Sequence, residues 1–167
     1  MTKKYVKPYI KIVKKSFNYS KEPKTWLAAL LGAGAMEAFF RLAPQIGLTR
    51  IDNATANGTI FLPPGKKASF LGGLIFYTGA VSWVALFRTL KPKIKGHQEV
   101  QSLKFGIVVF LVSSFLFPIV GWVNPYMRKG ILKNPGLFGL RLQGWKTVIS
   151  NLIGHAIFIS IVRLKTK

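Results

Sequence analysis

Residues 147–164 read "TVISNLIGHAIFISIVRL". The stretch is apolar on every side of a helical projection and carries one imidazole, His155, near its middle. In a soluble core helix, His155 would be an ordinary hydrogen-bonded residue. In a bilayer it would sit where polar groups are costly and have partners for that reason. The stretch has 18 residues, and a spanning helix needs about 20. What decides between the two settings is whether it stands alone.

It does not. Three more runs of the same kind precede it: residues 25–42, "TWLAALLGAGAMEAFFRL"; residues 69–87, "SFLGGLIFYTGAVSWVALF"; and residues 105–123, "FGIVVFLVSSFLFPIVGWV". Four such runs in one short chain predict an all-α, polytopic membrane domain over residues 25–164 with four transmembrane helices. The first run contains Glu37 and Arg41 and an "AGA" at Ala33–Ala35 that resembles a signal-peptidase site. Because 24 residues come before it and its apolar part before that site is short, a retained span is expected.

Composition agrees. The 167 residues are 50% hydrophobic but only 17% charged, with 25 basic and 4 acidic side chains and a net charge of +21. Mean hydropathy is +0.32. High charge beside high hydropathy is natural when cations lie between spans. Cysteine is absent, which excludes disulfides, thiolate metal sites and cysteine nucleophiles. Two histidines and four carboxylates leave little for a metal site, and none is expected. No phosphate-binding glycine loop, HExxH, GxSxG or cofactor signature occurs, so no cofactor and no standard enzyme chemistry is expected. Gly32, Gly34, Gly72, Gly73, Gly79 and Ala28 read as small residues that let helices approach closely in lipid.

The cations also orient the chain. Residues 1–24, the 88–104 connection and the tail from Arg163 hold sixteen Lys and Arg, against eight in the other two connections. Both termini are therefore expected on the cytoplasmic side.

Residues 1–24 form a basic amphipathic segment. Tyr5, Tyr9, Val13 and Phe17 step along one helical face, flanked by Val6 and Ile10. Lys4, Lys7, Lys11, Lys14 and Lys15 occupy the other, and residues 165–167 form a short basic tail. This pattern predicts an interfacial helix on anionic lipid, starting or kinked near Pro8. An RNA-binding tail is the rival reading; the aromatics fit it, but the periodicity fits a membrane surface better, so no nucleic acid is expected as partner. The connection "APQIGLTRIDNATANGTIFLPPGKK" reads as a long loop punctuated by turn formers, Asn57-Gly58 among them. Its Asn53 and Asn57 head chance-level glycosylation sequons. The connection from Asn124 to Lys146 is apolar but turn-rich, suited to the headgroup interface or to packing on the bundle rim. Pro118 is expected to loosen the third span, with Ser113 and Ser114 available to the freed carbonyl.

Taken in order, "RLAPQIGLTRID", "FGIVVFLVSSFLFPIVG" and "NLIGHAIF" resemble a family of small four-helix bacterial membrane proteins classed as a domain of unknown function. Pro44, Gly47, Asp52, Gly106, Pro118, Gly121, Gly154 and His155 carry the resemblance over about residues 26–164. The resemblance implies the four-helix fold but supplies no activity. The chain departs from it in the second span, where Phe76 and Tyr77 stand in place of a common histidine.

At about 1.5 Å per residue, Glu37, Tyr77 and His155 fall at one depth, with Arg41 and Asn151 a turn away on their own helices. These five are the candidate intramembrane polar cluster; the alternative pairs Glu37 with Arg41 and leaves His155 to a backbone carbonyl. The functional expectation is a small non-enzymatic accessory or structural subunit, packed against lipid or a larger membrane complex. A small transporter, channel or proton-coupled module using Glu37 and His155 is the alternative.

Overall fold

The computed structural model describes the backbone of residues 3–166 and the side chains from residue 8 onward. Eight α-helices and three short 3-10 turns account for the described secondary structure, and no strand occurs among these residues. Helix α1 spans Lys3–Ser20, α2 Pro23–Leu42, α3 Asn53–Gly58, α4 Lys66–Leu90 and α5 Gln98–Val123. Helix α6 spans Pro125–Arg128, α7 Leu140–Gln143 and α8 Trp145–Lys165. Helices α2, α4, α5 and α8 are long and apolar enough to cross a membrane.

The four long helices outrun the apolar stretches that announce them. Helix α4 begins at Lys66 and α5 at Gln98. Hydropathy stops at the first charge, whereas the backbone gains a hydrogen bond from each further helical turn and long Lys and Arg stems reach past an apolar edge. The outward faces of the four are apolar: Leu27, Leu30 and Leu31 on α2, Phe70 and Leu74 on α4, Ile107, Leu111 and Phe115 on α5, Ile149 and Leu152 on α8 are all exposed. Such a continuous apolar belt is unfavourable in water and natural against lipid.

In cross-section the order is α4–α2–α8–α5. Small residues bring the inner pair together. Gly32 of α2 receives the Phe158 ring of α8, and Gly154 of α8 receives Phe40 and Met36 of α2. Gly106 of α5 lies against Ile159 of α8. Without hydrophobic drive between helices in lipid, this close van der Waals fit supplies much of the association. Helices α4 and α5 close the ring only at their connected ends. There Phe105 meets Phe87 at a tilt, centroids 5.0 Å apart, and Trp83 edge-on at 6.2 Å. Over the rest of their lengths they do not pack on each other.

Several expectations need correcting. Residues 53–58 are helical rather than a turn. Asp52 caps α3, its carboxylate accepting from the Thr55 N–H at 2.8 Å and the Thr55 hydroxyl at 2.8 Å. Gly58 of α3 and Gly72 of α4 then lie backbone against backbone, leaving no room for a Cβ on either. Tertiary contact with α4, not intrinsic propensity, keeps "NATANG" helical. Helix α1 starts before Pro8 and runs through it, Pro8 falling in its second turn. Helix α5 runs on through Pro118 to Val123, and what needs correcting there is the role of Ser113 and Ser114, whose hydroxyls bond to α8.

Candidate functional site

His155 and Asn151 lie one turn apart on α8, both buried, and both face α5. His155 Nδ1 is 2.8 Å from the Asn151 carbonyl oxygen, and Nε2 is 3.2 Å from Ser113 Oγ. A carbonyl only accepts, so Nδ1 carries the proton of the neutral ring, and Nε2 accepts from the Ser113 hydroxyl. Asn151 Nδ2 donates to Ser114 Oγ at 3.0 Å. Phe110 meets the imidazole edge-on at 6.0 Å. Two polar side chains of α8 thus each find a serine of α5, as a bilayer interior favours.

The five residues expected in one layer do not converge. Glu37 turns to Arg41, whose Nε donates to Oε1 at 3.1 Å, while Oε2 is buried without a partner. Arg41 is largely exposed on the outer face of α2. The Tyr77 hydroxyl lies near Gly34 of α2 and forms no hydrogen bond among the described residues; its ring meets Phe76 edge-on at 5.6 Å. Counting residues put the three at one depth, but each side chain has its own neighbours. No group of three or more metal-ligating side chains occurs among the described residues.

Because α4 and α5 part company beyond their connected ends, a cleft opens between them, with α2 and α8 as its floor. Its volume is about 260 Å³. Ile75, Gly79 and Trp83 of α4 face Val109, Leu116 and Val120 of α5 across it, and His155, Asn151 and Ser113 form a polar patch within it. Asn53 and Asn57 of α3 roof it. A second cavity of about 250 Å³ continues on the far side of α3, between Arg50, Asp52, Lys133 and Leu142. The two cavities share Asn53, Asn57, Phe117 and Val120 in their walls.

At the opposite end, α1 packs on α4. Ser16 Oγ donates to Thr89 Oγ1 at 3.0 Å, and Arg88 is the junction. Its guanidinium lies 4.3 Å from the Tyr19 ring centroid, 2.6 Å from Glu22 Oε2 and 2.7 Å from Thr25 Oγ1. It thereby joins α1, the α1–α2 corner and α2 to α4. Lys11, Lys14 and Lys15 are exposed, and so is the apolar face: Tyr9 by 69%, Val13 by 65% and Phe17 by 60%. The side chains of Lys4, Lys7, Tyr5 and Val6 lie outside the described residues. Both amphipathic faces thus stay open while a third, through Ile12, Ser16 and Tyr19, meets the bundle.

Two organising residues were not legible as such. Arg88 looked like one more loop cation. Asn124 looked like a turn former, but it is fully buried and uses its whole amide. Oδ1 accepts from the N–H groups of Tyr126 at 2.9 Å and Met127 at 3.2 Å. Nδ2 donates to the Ala56 carbonyl at 3.0 Å and to Thr59 Oγ1 at 2.8 Å. Buried Thr49, Thr147 and Ser150, with the exposed Gln143, tie the connection after α2 to α7 and α8 in the same way. The signal in sequence was faint: Asn before Pro, and Thr or Ser at the ends of apolar runs.

No protein-family model, curated protein or solved structure matches the chain.

Proposed function

We propose that the protein is a small, non-enzymatic integral membrane protein, an accessory or structural subunit that packs against lipid and a larger membrane complex. In this reading it belongs with the small four-helix bacterial family it resembles and resides in the inner membrane with both termini cytoplasmic. Helix α1 lies along the anionic surface there.

One observation carries the proposal: the acids are used up and the lysines are not. Glu22 pairs with Arg88, Glu37 with Arg41 and Glu99 with Arg163, and Asp52 caps α3. No lysine forms an ion pair among the described residues. The excess cations gather at one end, where α1, the α4–α5 connection and the C-terminal end of α8 meet; Lys91 Nζ donates to the Thr166 carbonyl at 3.2 Å. An outside anion must balance this end, and phosphate headgroups beside an exposed Tyr-Val-Phe face answer both needs.

The polar residues support a non-enzymatic role. Ser113 and His155 touch, but Ser113 sits mid-helix, where neighbouring N–H groups are spent on helix bonds and none can stabilise an oxyanion. A proton-coupled module would use Glu37 and His155 together, and Glu37 is bound to Arg41 outside the His155 network.

Gentle solubilisation of native membranes, crosslinking and mass spectrometry test the proposal. A stoichiometric membrane partner is expected. A solitary protein that gives substrate-dependent flux in liposomes would overturn it.

A further inference from the structure

We propose that the cleft between α4 and α5 is a binding site for one anionic membrane lipid, with an acyl chain in the cleft and the headgroup over α3 between Arg50 and Lys133. The inference rests on the membrane reading above but on none of the lysines of α1.

Length is the first argument. The α5 strip that faces the cleft runs from Val109 to Val120, about 16 Å at about 1.5 Å per residue. Half of a hydrocarbon core about 30 Å thick is about 15 Å. The cleft is therefore about as long as one acyl chain, open sideways to lipid and closed toward the connected ends of α4 and α5 by Trp83, beyond which Phe87 and Phe105 meet.

Polarity is the second. Within the cleft both imidazole nitrogens and the Ser113 hydroxyl are already bonded, so an alkyl chain beside them breaks no hydrogen bond. Beyond α3 the second cavity has cations in its lining. Arg50 and Lys133 are exposed and have neither ion pair nor hydrogen bond among the described residues. Asp52 lies beside them, but its carboxylate oxygens are held by the Thr55 N–H and hydroxyl. Two cations in the cavity beyond α3, which shares four wall residues with the apolar cleft, suit a phosphate over a chain. The two cavities together reach the roughly 300–1,000 Å³ of a small-molecule site.

Gly79 makes the idea testable. It lines the cleft, and a Cβ added there meets nothing within 4 Å. Gly73, on the same helix but away from the cleft, is equally open. The full chain is reconstituted in vesicles of phosphatidylcholine and phosphatidylglycerol, either lipid carrying a diazirine on one acyl chain. Crosslinks from phosphatidylglycerol are expected on peptides holding Gly79, Val109 and Leu116. Gly79→Phe, or the smaller Gly79→Leu, should lower their yield on the order of fivefold or more, about 1 kcal/mol of binding. Gly73→Phe should leave it unchanged. Arg50→Gln with Lys133→Gln should remove a preference for phosphatidylglycerol that is on the order of fivefold. Unchanged crosslinks in both Gly79 variants, or equal yields from the two lipids in the wild-type chain, would overturn the assignment. So would a partner's helix crosslinked at the cleft in native membranes in place of lipid. Co-purification of a complex partner is unaffected by the first two outcomes, so this inference can fail while the proposed function stands.

Discussion

Removing the Asn124 amide should unlock the end of the bundle that carries α3 and α6. Asn124→Ala deletes the cap of α6, for which about 1 kcal/mol is typical. It also deletes two buried bonds to α3 and to Thr59, each contributing about 1 kcal/mol net. The expected loss is about 3 kcal/mol, a little over a hundredfold in the folding equilibrium. Asn124→Asp separates the two halves of the amide. It keeps the cap acceptor, since Asp and Asn cap about equally well, but sets a carboxylate oxygen against the Ala56 carbonyl and the Thr59 oxygen. Thr59 could turn to donate only by giving up its 2.7 Å bond to the Thr55 carbonyl. The Asp variant should therefore lose at least as much as the Ala variant. The assay is reversible unfolding of the purified chain in mixed micelles with rising SDS, followed by Trp fluorescence; Trp122 lies two residues from the site. A loss below about 1 kcal/mol for Ala, or an Asp variant as stable as wild type, would show that these four bonds do not hold α3 in place.

Three further outcomes are expected. Gly72→Ala drives a Cβ into the backbone of α3 and should cost about 1–3 kcal/mol by the same titration, whereas Gly73→Ala should be near neutral. Arg88→Lys keeps the charge but loses the planar stack on Tyr19 and the joint reach to Glu22 and Thr25; limited proteolysis should then cut near Lys21 faster than in wild type, and an unchanged rate would remove Arg88 from the α1 junction. Replacing Lys11, Lys14 and Lys15 together by Gln should release about 1 kcal/mol per lysine of attraction to anionic lipid; amide exchange in α1 should quicken on phosphatidylglycerol vesicles and not on phosphatidylcholine, and equal protection on both would remove the electrostatic role of that face.

The four spans could be read from sequence because each is a local property: an apolar run of sufficient length needs no neighbour to declare itself. Of the partners of His155, a backbone carbonyl was already legible as the alternative, with Glu37 left to Arg41, and the structure shows both; Ser113 was not. Depth along a helix follows from counting residues, but the direction a side chain takes is set by helix rotation, which hydropathy barely constrains when every face of α8 is apolar. Glu37 shares its depth with His155 and yet belongs to Arg41, because a partner on its own helix is in reach whatever the rotation. Residues 53–58 misled for the opposite reason. Asn and Gly are turn formers by local preference, and that preference gave way to an Asp52 cap and to a backbone contact at Gly72, fourteen residues away in sequence from Gly58. The cleft was illegible altogether. It exists because two spans adjacent in sequence do not pack along their length, and no pattern in either one records that.

The account stands or falls on four crossings with the basic end on one side. The chain has no cysteine, so single-cysteine variants need no further engineering. Lys14→Cys, Lys95→Cys, Lys67→Cys and Lys129→Cys place one thiol in α1 and one near each connection between the spans. In intact cells, a membrane-impermeant maleimide should label Lys67→Cys and Lys129→Cys. Lys14→Cys and Lys95→Cys should react only after permeabilisation. Labelling of all four in intact cells, or of Lys67→Cys and Lys95→Cys on the same side, would contradict it.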